Sequence, residues 1–248
     1  MPLPDSFFSR PFAHRALHGP GRPENSTEAI AAAIAAGYGI EVDVQLSADA
    51  QAMVFHDYGL ARLTGVSGTV QTSTAAQLTG HGLLGGASGA PSLPQVLDQV
   101  AGRVPLVVEI KDQDGAMGPN VGPLEAQVAQ ALAAYEGPVA VMSFNPHAVA
   151  EMARIAPQIP RGLVSDDYSD EDWPTIPRAR RAELRRIPDF DRVGASFISH
   201  NQSQLSSPAV AALKARDVPI LCWTVRSPEQ EAEARKIADQ ITFEGYAA

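Results

Sequence analysis

The chain is 248 residues long, with 45% hydrophobic and 19% charged residues and a formal net charge of −9. That hydrophobic content supports a sizeable core, and the acidic balance excludes a general nucleic-acid binder, which needs a basic face to neutralise phosphates. Cys222 is the only cysteine, so neither an intrachain disulfide nor a cysteine-based zinc site can form.

The opening "MPLPDSFFSRPF" shows no charged stretch followed by an apolar one. A strand is expected at "PFAHR" (11–15), then a helix at "NSTEAIAAAIAAG". Its signals are a cap at Asn25 or Ser26, an acid in the first turn (Glu28) and a terminating Gly37. The apolar tract inside it is broken by glycine and too short to span a bilayer. A soluble, cytoplasmic protein without stable membrane insertion is therefore expected.

"IEVDVQL" (40–46) reads as the second strand, with "AMVFHD" following almost at once. The Gly-rich "GHGLLGGASGAPS" (80–92) lacks the Lys-Ser/Thr ending of a P-loop and reads as a flexible connection. Further strands are expected at "PLVVEIK" (105–111), "VAVMSF" (139–144), "RGLVS" (161–165), "VGASFIS" (193–199), "PILCWTV" (219–225) and "QITF" (240–243). Helical patterns lie between them, several with Pro in the first turn. One of them, "RARRAELRR" (178–186), reads as a solvated basic face. Eight strands with intervening helices indicate an α/β fold, a (β/α)8 barrel, with a doubly wound open sheet as the runner-up.

Barrel enzymes carry their chemistry at the C-terminal ends of strands, and polar residues gather there. His14 and Arg15 close the first strand, Glu41 and Asp43 lie on the second, and Glu109 and Lys111 close the third. Residues two apart on a strand share a face, so Glu41 pairs with Asp43 and Glu109 with Lys111. Three carboxylates converging on a barrel interior need a counter-ion, and a hard divalent cation, Mg²⁺ or Ca²⁺, takes oxygen ligands. A tight turn near Asp49-Ala50 would pair residues whose numbers sum to about 99, setting Asp43 opposite His56. Two histidines flanking an anion held by a cation, Arg15 and Lys111 suit phosphoryl transfer, one imidazole as base and one as acid. Taken singly, each has a plainer reading: a core histidine, an exposed acidic strand, a barrel salt bridge, a core tryptophan. His18, His81, His147 and His200 keep that plainer reading.

The order "AHRA…RPENSTEAI…IEVDVQLSADAQAMVFHD", then "LVVEIK", "SFNP", "IPRGLV" and "CWTV" resembles the glycerophosphodiester phosphodiesterase family. The resemblance implies a barrel that hydrolyses glycerophosphodiesters to glycerol 3-phosphate and an alcohol with a divalent cation. It implies His14 and His56 as the acid–base pair and Glu41, Asp43 and Glu109 as metal ligands. Arg15 and Lys111 would hold the phosphate, Trp223 would pack against the glycerol, and Glu24 and Asn25 would shape the site. Residues 1–248 would form a single barrel domain with a small insertion at about 47–92.

Four departures stand out: Ala16 after His14-Arg15, "SADAQ" without an Asp-Gly turn, Arg226 after "WTV", and "ITFEGY" without Thr-Asp. Arg226 should lie at the barrel rim, as a reader of the alcohol that disfavours a cationic one, or in an ion pair with an acid such as Glu229. Two further readings share the scaffold, a metal-dependent lyase or isomerase and a non-catalytic protein binding a phosphorylated small molecule.

Overall fold

A computed structural model describes residues 1–248. The strands are β1 (Phe12–Ala13), β2 (Gly39–Leu46), β3 (Ala52–Val54), β4 (Leu106–Ile110), β5 (Val139–Ser143), β6 (Arg161–Ser165), β7 (Phe197–Asn201), β8 (Ile220–Val225) and β9 (Gln240–Phe243). All but β3 run parallel, and β1 pairs with both β2 and β9, which closes an eight-stranded barrel. The expected (β/α)8 architecture is the one observed.

Strand alternation divides the side chains between two cores. Ile40, Val42 and Val44 of β2, with Leu106, Val108 and Ile110 of β4, face the helices in a cluster of 44 buried residues. The alternate residues face the barrel axis, where Phe7, Phe12, Val107, Ala140, Val164, Phe197 and Leu221 fill the lower interior. Gly162 leaves room for that filling, since a Cβ there would lie 2.4 Å from the Phe197 ring. With the lower interior packed by apolar groups, the next inward positions, Glu41, Asp43 and Glu109, are buried above it at the C-terminal ends.

The first helix, α1 (Thr27–Ala36), starts where expected, with Ser26 Oγ accepting from the Ala29 amide, and ends at Gly37 in the left-handed region (φ 72°). Between β2 and β4 the chain leaves the barrel through β3, the short helices α2 (Ala61–Thr64) and α3 (Ala75–Gly80), and α4 (Leu93–Val100). The remaining helices are α5 (Pro123–Leu132), α6 (Pro146–Ile155), α7 (Arg178–Leu184), α8 (Pro208–Lys214) and α9 (Pro228–Ala234). None is long and apolar enough to cross a membrane.

Four expectations need correction. The hairpin joining β2 and β3 pairs Val44 with Val54 and Leu46 with Ala52, one residue away from the expected register. The cause is a three-residue loop in which Ser47 Oγ accepts from the Gln51 amide and Ala50 takes φ 56°. Asp43 therefore lies opposite Phe55, whose amide donates to the Asp43 carbonyl (3.0 Å), not opposite His56. The sixth barrel strand, β7, begins at Phe197 rather than Val193, because residues 189–195 close a helical turn that ends with Gly194 at φ 59°.

The Gly-rich segment is not loose. Glu28 accepts from the amides of Ala87 and Ser88 (3.1 Å each) and from the Ser88 hydroxyl (2.7 Å). At Gly89 a Cβ would lie 2.0 Å from the Thr79 carbonyl oxygen. The arginine run is likewise only partly solvated. Arg180 donates to the Met117 carbonyl, buried Arg181 pairs with Asp170, and Arg185 donates to the carbonyls of Asp167 and Tyr168. Arg181 and Arg185 fasten the segment after β6, and Arg180 the loop after β4.

Burial pushes the Glu28 pKa up, but the Ser88 hydroxyl and the Ala87 amide outweigh it and bring the value from 4.5 down to about 2. A depressed carboxylate stabilises the fold above its unfolded pKa and loses that contribution as pH falls through the folded one. The urea-midpoint advantage of the protein over Glu28→Gln should thus be full above pH 4.5 and shrink toward pH 2. A pH-independent difference would show that the ionised carboxylate is not what pins the loop.

Candidate active site

A cavity of about 600 Å³ opens at the C-terminal end of the barrel. His14, Arg15, Glu41, Asp43, His56, Glu109, Lys111 and Trp223 all line it. Glu24 and Asn25 do not; they stand behind it. Asn25 Nδ2 donates to Asp43 Oδ2 (2.9 Å), and Glu24 accepts from Arg15 Nη1 (2.8 Å).

Register assembles the acidic centre. Asp43 on β2 is the direct neighbour of Glu109 on β4, and Glu41 is two residues below Asp43 on the same face. Each of the three offers an oxygen within 4.8 Å of the others, and all are buried. Lys111 Nζ lies 3.2 Å from Asp43 Oδ1 and 3.0 Å from Glu109 Oε1. Burial pushes the Asp43 pKa up, but Lys111, His56 and Arg15 overcome it and hold the group well below the ordinary carboxylate range. Glu41 is left on the other side of this balance. Burial, and then the charges of Asp43 and Glu109, push its pKa well up. A buried all-oxygen donor set with more negative charge than its neighbours neutralise fits a hard divalent cation.

The turn after β1 shapes the neighbouring wall. Arg15 (φ 51°) and Ala16 (φ 63°) are both left-handed, a conformation costing roughly 1–2 kcal/mol for a residue with a Cβ. The turn is held by the Arg15 amide donating to Glu41 Oε2 (2.8 Å) and the Ala16 amide donating to the Glu41 carbonyl (2.9 Å). Arg15 Nε is buried with no hydrogen-bond partner, 3.7 Å from Asp43 Oδ2. That leaves Arg15 turned toward Asp43 through Nε and toward Glu24 through Nη1.

The two histidines are held alike. His14 Nδ1 lies 2.6 Å from Glu244 Oε2, and Glu244 Oε1 accepts from Arg226 Nε (2.7 Å). His56 Nδ1 lies 2.8 Å from Asp57 Oδ1, and Arg62 donates to both oxygens of Asp57 and both of Glu24. A carboxylate only accepts, so each Nδ1 carries the proton and each Nε2 is the free ring nitrogen. Burial lowers the His14 pKa, and Glu244 offsets this only in part. The histidines of the cavity wall thus form two carboxylate-braced imidazoles. His18 Nε2 lies 3.5 Å from Glu244 Oε2 with no closer partner.

His56 reaches the cavity although the hairpin register does not aim it there. Gln45, fully buried, donates from Nε2 to the carbonyls of Phe55, His56 and Asp57 (2.9, 3.0 and 2.7 Å). The chain curls around that amide as it leaves β3. Tyr58 then donates to the Asp112 carbonyl (2.7 Å), tying the excursion to the end of β4. A second acidic group, Glu24 with His56 and Asp57, already has its cation in Arg62.

Sequence reading missed Glu244, Gln45, Arg62 and Trp173. Glu244 had a usable signal. It directly follows the last strand, and the pairing of Ala13 with Phe243 makes the next residues, His14 and Glu244, neighbours. Trp173 had none, because it sits in the irregular segment between β6 and α7. Arg226 does line the rim, but its partner is Glu244 and not Glu229.

The sequence profile of the Glycerophosphoryl diester phosphodiesterase family matches residues 14–241. The Bacillus subtilis protein YhdW is 25% identical over 230 residues, 89% of this chain and 88% of that one. A Bacillus altitudinis protein named glycerophosphodiester phosphodiesterase is 30% identical over 165 residues, 63% of this chain and 66% of its own. An Oleispira antarctica phosphodiesterase, solved with the product sn-glycerol-3-phosphate, superposes with a TM-score of 0.77 at 22% identity. It covers 96% of this chain and 94% of its own, a likeness of fold.

Proposed function

The chain belongs to the glycerophosphoryl diester phosphodiesterase family, and on that premise we propose that it hydrolyses glycerophosphodiesters to glycerol 3-phosphate and an alcohol. The observation that carries this reading is one cavity holding three mutually close buried carboxylates together with two histidines whose Nδ1 atoms are tied back. Glu41, Asp43 and Glu109 would hold a divalent cation, Mg²⁺ or Ca²⁺, which when bound supplies Lewis-acid polarisation of the phosphoryl group.

The side chains of this protein then have distinct tasks. Arg15 and Lys111, both on the cavity wall, bind and orient the phosphate oxygens. His14 is the base: burial favours its neutral form, and its Nε2 takes the proton of the attacking water. His56 is the acid, giving a proton from Nε2 to the leaving alcohol oxygen as the bond from phosphorus to that oxygen breaks. Trp223 packs against the glycerol, while Glu24 and Asn25 brace Arg15 and Asp43 from behind.

Residues 1–248 are taken to act as one barrel domain with residues 47–92 as its insertion, in the cytoplasm, on a small-molecule substrate. Two histidines with Arg15 and Lys111 suit a phosphate better than the carbonyl on which an isomerase or lyase would act. Phosphorus NMR of a glycerophosphodiester incubated with the protein and a divalent ion tests the reading. Glycerol 3-phosphate and free alcohol are expected; free glycerol with a phosphorylated alcohol would contradict it.

A further inference from the structure

Part of the cavity wall offers a ligand no polar atom. Trp223 Nε1 donates to the carbonyl of Ser199 (3.1 Å), and Trp173 Nε1 donates to Asp166 Oδ2 (3.0 Å). An indole has a single polar atom, a donor, and neither acceptor lines the cavity. Phe144 stands between the two indoles, its ring centroid 4.8 Å from that of Trp173 and 5.5 Å from that of Trp223. Tyr168, buried behind, packs on both Phe144 and Trp173 and holds the rings in place.

Charge adds a second constraint. Asp172, beside Trp173, lines the same cavity, whose wall carries six carboxylates against three arginine or lysine side chains. A divalent ion in the acidic centre would still leave the carboxylates in excess. Arg226, the residue expected to repel a cationic alcohol, has its Nε on Glu244, so its charge is already answered.

Resting on the phosphodiesterase reading, we propose that the Phe144–Trp173 wall receives a quaternary ammonium group, so that the preferred substrate is the diester of a choline-like alcohol. A trimethylammonium has no N–H, so it forfeits nothing against rings that have no acceptor to offer. It gains the attraction of a cation to aromatic faces and to the surplus carboxylates. A primary ammonium would bring three donors that the ring faces themselves cannot pair, with Asp172 alone at their edge to accept, and a hydroxyl-rich alcohol would suffer likewise. A neutral group of the same shape would be buried equally well but would gain nothing from the rings' negative faces.

The test compares kcat/KM of the divalent-loaded protein on the glycerophosphodiesters of choline, ethanolamine and 3,3-dimethylbutanol, the neutral carbon isostere of choline. The choline ester should exceed each of the others by about tenfold. Trp173→Leu should bring the choline-to-isostere ratio toward one, and Trp173→Phe, which keeps an aromatic face, should retain part of it. An isostere cleaved as well as the choline ester would reduce the wall to an apolar surface and overturn the proposal. So would an ethanolamine ester cleaved equally well. In both cases the phosphodiesterase reading would stand, whereas turnover of none of the three would remove that reading and this proposal together. The comparison on the unmodified protein does not depend on any variant folding.

Discussion

Replacing His14 or His56 with Ala is expected to lower kcat by about 10²–10⁴-fold each, with little change in KM. Both imidazoles are braced through Nδ1 by a carboxylate that itself binds an arginine, so the lost function is proton transfer at Nε2 and not substrate grip. The two substitutions should differ in one respect. With a nitrophenyl ester the leaving group needs no proton, so His56→Ala should lose much less, while His14→Ala should keep its full penalty. Near-normal kcat for His56→Ala on an ordinary alcohol ester would make His56 a structural residue.

Glu41→Gln should cost about 10³-fold in activity, because losing the cation forfeits several kcal/mol of charge stabilisation in the transition state. Stability should move the other way. Burial and the charges of Asp43 and Glu109 penalise ionised Glu41, so in chelator the variant should melt no lower than the unmodified protein. The unmodified protein should gain Tm on adding Mg²⁺ or Ca²⁺, and Glu41→Gln should not. A variant with full activity, or with the same cation-dependent gain in Tm, would show that Glu41 is not a ligand.

The barrel was legible because its signals are local and repeated. Branched apolar runs, Pro and Ser at helix starts, and Gly37 each act within a few residues. The acidic centre was legible for the same reason: two-residue spacing on β2 and on β4 sets each pair of charged groups on one face, and the parallel pairing makes Asp43 and Glu109 neighbours. The hairpin register was not. A single left-handed residue, Ala50, moves every pair by one, and His56 is recovered only through the buried Gln45 amide, a contact that strand periodicity cannot reveal. The brace on His14 joins distant parts of the chain, and Glu244 becomes visible as its partner only once β1 and β9 are known to close the barrel, whereas His56 is braced by its sequence neighbour Asp57. Arg180, Arg181 and Arg185 look like a solvated stripe in sequence because several of their partners are loop carbonyls, and carbonyls carry no residue identity.

The most direct measurement follows glycerol 3-phosphate release from a glycerophosphodiester by protein stripped of divalent ions, first in chelator and then as Mg²⁺ or Ca²⁺ is returned. Glu41, Asp43 and Glu109, buried within 4.8 Å of one another, lead us to expect no measurable release in chelator and recovery as the ion is restored. Full turnover in chelator would contradict a cation held by these three carboxylates.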